Sequence, residues 1–418
     1  MRINYALATL CAAAFALCSC QEKGPENPGG GKPDVSVETL FSGEITAGYT
    51  DAINIRGEGF DEFDYIYVGW KNASGELVTE RINDPSLQIK NTRVTFGINV
   101  GAPYIKETLT VYLDRSGYDL TPISGEITVK LPTVEEGYIP DALFRAKLCS
   151  SANPNIQATF NACGLVDVEA AKEVKTGGGK DYGLDLGGCE AESFEGLELF
   201  PKLLSDKSAK NHNVVAAWDC PNVKVIDLSK WAAFGASWRA DRNTSLEKFI
   251  CNKHQRDLYA NDCPALKELD FDGNMGIKRV QRMNNIKLTK VRLRKDMSKT
   301  WAENPANEEE YTLYGGDCWF PMEDNAEIEI DSWFLFDHNV SDAGVASCWS
   351  NIYDAWTRGA TIKVFSRVKN EYLATVPMYS EDPEALSPNN KKGTLNPANN
   401  WKLDDPYTEE KEDGSGVN

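Results

Sequence analysis

A short apolar pattern recurs along the middle of this chain and limits its fold more than any other feature. The clearest copy is Leu266-Lys267-Glu268-Leu269-Asp270-Phe271 with Asn274 three places on, which reads L-x-x-L-x-L-x-x-N. Further copies lie at Val223-x-x-Ile226-x-Leu228, Leu246-x-x-Phe249-x-Cys251 and Leu288-x-x-Val291-x-Leu293, and a degenerate one starts at Leu203 and ends at Asn211. First positions are separated by 20, 23, 20 and 22 residues, counted from 203 through 223, 246 and 266 to 288. One short strand cannot bury its apolar edge alone, whereas stacked strands share a continuous core and stabilise one another through nearest-neighbour contact.

Pattern and period together resemble those of leucine-rich repeats. The resemblance implies an α/β solenoid, here over residues 183–300, opened by a half-strand at Leu184-Asp185-Leu186. Gly196-Leu197-Glu198-Leu199-Phe200-Pro201 is similar to the segment that precedes the first full repeat in surface lipoproteins of Bacteroidetes that carry such repeats.

The start of the chain fits that setting. Residues 1–20 have a positive start at Arg2, a short apolar run from Ala6 to Leu17 and a terminal Leu17-Cys18-Ser19-Cys20, the layout of a signal peptide. The run is too short to span a bilayer. Its ending resembles a bacterial lipobox, which implies lipidation of Cys20. Cys18 fits less well, because Phe15 and Leu17 would then fill the lipobox's aliphatic and small positions. The expected location is the outer membrane, lipid-anchored and surface-exposed, with membrane contact through the anchor alone. Residues 21–33 (QEKGPENPGGGKP) form a Pro/Gly-rich leash.

Over residues 34–132 the period changes to two. Ile53-x-Ile55, Ile66-x-Val68, Val94-x-Phe96-x-Ile98, Leu109-x-Val111-x-Leu113 and Ile127-x-Val129 alternate apolar with polar residues between turn formers, which predicts an all-β sandwich. Ile53-Asn54-Ile55-Arg56-Gly57-Glu58-Gly59-Phe60 resembles the opening strand and Gly-x-Gly-Phe turn of IPT/TIG immunoglobulin-like domains, and the resemblance implies structural glycines at backbone positions of positive φ.

Residues 133–182 read as a linker and helical N-cap, with a helix over Asp167–Val174. Gly164-x-Val166 and Glu169-Ala170 are similar to the calcium-loop-like segment that opens this cap in the lipoproteins. Thr159, Cys163 and Ala170 stand where coordinating oxygens are needed, so the expectation is a cap without metal. Residues 301–380 predict a C-terminal α/β cap: a strand at Ala326–Ile330, a helix from Ser341 to Gly359 and a strand at Thr361–Phe365. Residues 381–418 form an acidic tail of disordered composition.

Side chains between the apolar positions of a strand point the other way. Offsets of two, four and six from each first position give Val225/Asp227/Ser229, Lys248/Ile250/Asn252, Glu268/Asp270/Asp272 and Lys290/Arg292/Arg294. An acidic column therefore lies beside a basic one, with Asp270 facing Arg292 and Asp272 facing Arg294. The columns read as a self-neutralising ion ladder, as a recognition strip for a protein or glycan, or as both. The candidate ligand-binding residues are Lys248, Asp270, Asp272, Lys290, Arg292 and Arg294.

Asp270-Phe271-Asp272-Gly273-Asn274 looks like the start of a calcium loop, but Met275 and Gln281 stand where such a loop needs Gly and Glu. Asn274 reads instead as a buried side chain satisfying turn backbone, with His254 at the corresponding place one repeat earlier. The chain has 3 histidines and no nucleophile, metal-protease, phosphate-loop or dinucleotide motif, so no catalytic residue, metal or cofactor is assigned. Cys149, Cys163, Cys189, Cys220, Cys251, Cys263, Cys318 and Cys348 follow Cys20. An even count in an exported chain invites disulfides, but the core slot of Cys251 and the spacing of Cys220 and Cys263 favour buried free thiols.

A net charge of -19 argues against nucleic acid as a partner. The expectation is a non-catalytic surface lipoprotein that binds a protein or host-surface ligand through its repeats. Two alternatives are glycan capture by C-terminal aromatics (Trp319, Phe320, Trp333, Phe334, Phe336, Trp349, Tyr353, Trp356) and a hydrolase with an unrecognised carboxylate site.

Overall fold

The period-two stretches of residues 34–132 become strands whose burial alternates as their sequence does. The computed structural model describes residues 31–293 except 106, 180, 207, 209, 210, 234, 273 and 275–278, and beyond them 319–331, 352, 354–366 and 371–376. Cys20, Arg294, the expected tail and most of the expected helix from Ser341 lie outside these. The described residues fall into two compact units. The first runs to Lys130 and omits Asn99–Gly101, which belong with the second.

The first unit holds β1 (Ser36–Val37), β2 (Phe41–Thr46), β3 (Ile53–Glu58), β4 (Tyr65–Lys71), β5 (Leu77–Arg81), β6 (Gln88–Lys90), β7 (Arg93–Phe96), β8 (Thr108–Asp114), β9 (Thr121–Pro122) and β10 (Ser124–Lys130). They form one sheet of order β1-β3-β7-β6 and another of order β2-β10-β8-β4-β5, with β9 on β8. Ile53, Ile55, Ile66, Val68, Val94, Phe96, Leu109, Val111 and Leu113 are all buried. Gly59 has the expected positive φ, +87°. Gly57 does not, and is needed for another reason: a Cβ there would stand 2.1 Å from the Ser36 carbonyl on β1. The Arg115 guanidinium donates to both oxygens of buried Asp64, at 2.7 Å each, and to the Gly59 carbonyl at 2.7 Å, tying the turn to β8.

The second unit opens with α1 (Ala142–Leu148), α2 (Pro154–Gln157) and α3 (Val168–Lys172). Asp141 caps α1 by accepting from the Leu143 and Phe144 amides, and Asp167 caps α3 by accepting from that of Ala170. In the calcium-loop-like segment, Asn161 Oδ1 accepts from the Cys163 and Leu165 amides. From Leu184 onward the chain alternates between two sheets. β13 (Val225–Asp227), β15 (Lys248–Ile250), β17 (Glu268–Asp270) and β19 (Leu288–Leu293) arise from the L-x-x-L-x-L pattern and stack parallel. Between them come β11 (Leu184–Asp185), β12 (Val214–Ala216), β14 (Ser237–Arg239), β16 (Asp257–Tyr259) and β18 (Arg279–Gln281), a second parallel sheet.

The apolar positions of all four clear copies are buried, from Val223, Ile226 and Leu228 to Leu288, Val291 and Leu293. They share one core with Val215, Trp238, Leu258 and Val280 of the second sheet, and Trp238 packs edge-on against Phe249 at 5.8 Å. Each repeat turns on a residue of positive φ: Asp219, Arg242, Asp262 and Asn285, at 56°, 61°, 57° and 60°. Buried Asn243 accepts from the Cys220 amide at 2.7 Å and donates to the Ala217 carbonyl at 2.8 Å. Asn274 donates to the Asn252 and Gln255 carbonyls at 2.9 and 3.1 Å, and Asn252 donates to that of Ala233 at 2.9 Å.

Several expectations change here. The α/β repeat is replaced by strands in both halves, since among the described residues α-helix occurs only before β11 and at 352 and 354–357, with a single 3-10 turn at Leu197–Leu199. The degenerate copy at Leu203 forms turns with its leucines buried, not a strand. Asn252, expected on the outer face, is buried and takes the role assigned to His254. The two strands expected near the C-terminal end fall within β20 (Met322–Asp331) and β21 (Thr361–Ser366), which extend the first parallel sheet, and β22 (Glu371–Val376) closes it antiparallel. Cys163, Cys189, Cys220, Cys251 and Cys263 are buried free thiols, and Cys149 is a half-buried one. No helix among the described residues is long and apolar enough to cross a membrane.

Replacing Asn274 by Ala would remove the side-chain donor from the buried Gln255 carbonyl and leave that of Asn252 with the longer bond from the Gln255 amide, at 3.4 Å. A loss of about 2 kcal/mol is expected, measurable as a lower denaturant midpoint with an unchanged slope.

Candidate functional site: a charged face on the first parallel sheet

Strand register sets the outward side chains of this sheet in two rows. One row runs Val225, Lys248, Glu268, Lys290, Glu327, Thr361, and the other Asp227, Ile250, Asp270, Arg292, Glu329, Lys363. Read strand by strand from β15, the charges alternate: positive, negative, positive, negative, positive. Parallel neighbours about 4.8 Å apart put the charges of β17, β19 and β20 between strands of opposite sign.

The second row is the better buried. Arg292 lies between Asp270 at 2.5 Å and Glu329 at 3.0 Å, with Asp272 at 3.7 Å. The side chains of Asp270 and Glu329 are 7 % and 4 % exposed. Glu329 also receives Lys290 at 3.2 Å and the Tyr372 hydroxyl at 2.7 Å. Burial alone would push its pKa up, but donation by Tyr372, Arg292 and Lys290 outweighs this and holds it down at about 2. Burial likewise opposes the charge on Arg292, and the fields of Asp270 and Glu329 overcome it, so its pKa is raised. In the other row Lys248 meets Glu268 at 3.1 Å, and Glu327 takes Lys290 at 2.6 Å and Lys363 at 2.5 Å. Hydrogen bonds from Lys290 and Lys363 lower the pKa of Glu327.

The facing of Asp270 and Arg292 expected from the sequence is therefore present, and Lys248, Asp270, Asp272, Lys290 and Arg292 all belong to one ladder. Arg294 lies outside the described residues. Asp272 pairs with Arg292 as well, which makes Arg292 the hub. Sequence reasoning missed Glu327, Glu329, Lys363 and Tyr372. The alternation of Ala326-Glu327-Ile328-Glu329-Ile330 was visible, but Ile328 lies 37 residues beyond its partner Val291, and so long an interval hides the repeat. Among the described residues, no group of three or more His, Cys, Asp or Glu side chains could hold a metal ion. Comparison with protein-family models, curated proteins and solved structures finds no match to this chain.

Removing the hub as Arg292→Met takes the counter-ion from buried Asp270 and leaves Glu329 to Lys290 and Tyr372, with an expected cost of about 3 kcal/mol in chemical denaturation at neutral pH. Glu329 has a folded pKa below its ordinary 4.5. Its stabilising contribution is then complete above about pH 4.5 and is lost as the pH falls toward 2. In Glu329→Gln that part of the stability-against-pH curve should flatten, as read by thermal melts between pH 2 and 5.

Proposed function

We propose that the protein is a non-catalytic, lipid-anchored cell-surface protein, in which an immunoglobulin-like stalk carries a leucine-rich-repeat solenoid that binds a protein or host-surface ligand. The repeat spacing, the parallel stacking of one strand from every L-x-x-L-x-L copy and the shared apolar layer support the solenoid. Two sheets, antiparallel except for the parallel pair β2–β10, with a Gly-x-Gly-Phe turn support the stalk, and the Cys20 context supports the anchor.

One observation carries the binding assignment. In the less buried row the side chains of Lys248, Glu268, Lys290 and Glu327, with Lys363 beside them at the end of the other row, are 31–40 % exposed, on short strands locked in register. Their mutual pairing fixes the charged tips in place, so a partner with a complementary charge order meets little ordering cost. Asp270, Arg292 and Glu329 hold the strip together from beneath and are structural supports, not contacts.

A second reading, glycan capture, is favoured by Trp319, which is 47 % exposed. Phe320 and Trp356 are buried, and Trp333, Phe334, Phe336, Trp349 and Tyr353 lie outside the described residues.

The full chain is to be tested against immobilised extracellular-matrix and cell-surface proteins. Binding that weakens with added salt and is lost in Lys248→Glu/Lys363→Glu is expected. A negative screen, or binding indifferent to salt and to these substitutions, would overturn the assignment. For the anchor, labelled palmitate should enter the wild-type chain in a bacterial host and be absent from Cys20→Ala.

A further inference from the structure

The outward face of the second parallel sheet has a different chemistry. Strand register aligns Asp185, Ala216, Arg239, Tyr259 and Gln281 across β11, β12, β14, β16 and β18. Trp319 continues this row. Its amide donates to the Val280 carbonyl at 3.0 Å, the same step by which the Asp257 amide reaches Ala236 and that of Arg279 reaches Arg256. Trp319 therefore lies opposite Gln281, two strands or about 10 Å from Tyr259.

At the other end Trp218 also faces outward, half-buried, with Tyr182 edge-on at 5.0 Å. Its indole lies over Gly187, where a Cβ would come within 2.7 Å of Nε1. Between the two indoles, Arg239 and Arg282 flank the Tyr259 ring at 5.6 and 5.7 Å. Among the described residues neither guanidinium has an acidic partner, and the buried Nε of Arg239 finds no acceptor. On the first sheet Lys248, Lys290, Arg292 and Lys363 are all ion-paired. Two unpaired arginines beside one ring, in a chain of net charge -19, are suited to a single anionic group and not to a polyanion.

We propose that this face is a binding site for an oligosaccharide bearing a carboxylate sugar. Arg239 and Arg282 offer planar N–H forks that match a carboxylate. Trp319 and Trp218 give π faces for the C–H faces of neighbouring rings, and Gln281 and Asp185 stand in the same row to meet hydroxyls. An acidic peptide would satisfy the arginines but has no use for an exposed indole at one end and a half-buried one at the other. The site is separate from the charged strip, and either can fail without the other.

The test is a glycan array of hexuronic and nonulosonic acid oligosaccharides, each beside its carboxyl methyl ester, probed with the full chain alongside a poly-glutamate peptide. Acidic members should bind and their esters should not. Affinity for the best member should fall roughly tenfold or more in Arg239→Met/Arg282→Met and in Trp319→Ala, with melting temperatures unchanged, while Lys248→Glu/Lys363→Glu binds as wild type. An array without acidic hits, equal binding of the esters, binding insensitive to these substitutions, or equal binding of poly-glutamate would each overturn the proposal.

Discussion

Strands of three residues cannot hold themselves together. β13, β15 and β17, and β12, β14, β16 and β18 opposite them, each span three residues, about 1 nm of rise at strand geometry. Their backbone groups are satisfied only by neighbours in register, and their single inward side chains are buried only because the next repeat buries its own. Everything else in the second unit serves that register. Positive-φ turns at Asp219, Arg242, Asp262 and Asn285 reverse the chain at matching places, and Asn243, Asn252 and Asn274 satisfy the buried carbonyls the turns leave behind.

The charged face serves register too. A parallel stack shifted by two residues would keep its apolar side chains inward, so burial alone discriminates weakly between the two alignments. What a slide would lose is the fit: Lys290 lies two residues before Arg292, so opposite charges would still face each other, but Arg292 would leave its place between buried Asp270 and Glu329. On β20, which joins the sheet after a long interval, Glu327 and Glu329 match the Lys290 and Arg292 they meet.

The two outward faces of the repeats thus differ in how their charge is used. On the first sheet it is spent internally and leaves an ordered strip of paired tips. On the second, Arg239 and Arg282 are held against Tyr259 with no acid paired to them among the described residues, between the Trp218 and Trp319 indoles, which come from distant parts of the chain. A face whose cations are already satisfied favours a partner with its own charge pattern, whereas unsatisfied guanidinium forks favour a compact anion.

The sequence by itself determined the repeat and its inward layer, because burying one apolar edge every 20 or so residues leaves a periodic record. It also placed Asp270 against Arg292, fixed the buried role of Asn274 and marked the alternating strands of the first unit. Only the tertiary structure decided the rest. The second sheet leaves no comparable record, since Val215, Trp238, Leu258 and Val280 are single inward residues on strands too short to show alternation. Nor could local pattern reveal that Glu329 and Tyr372 complete the surroundings of Arg292, or that Trp319 stands in line with Arg239 and Tyr259. Those neighbours lie tens of residues apart along the chain, and only stacking brings them together.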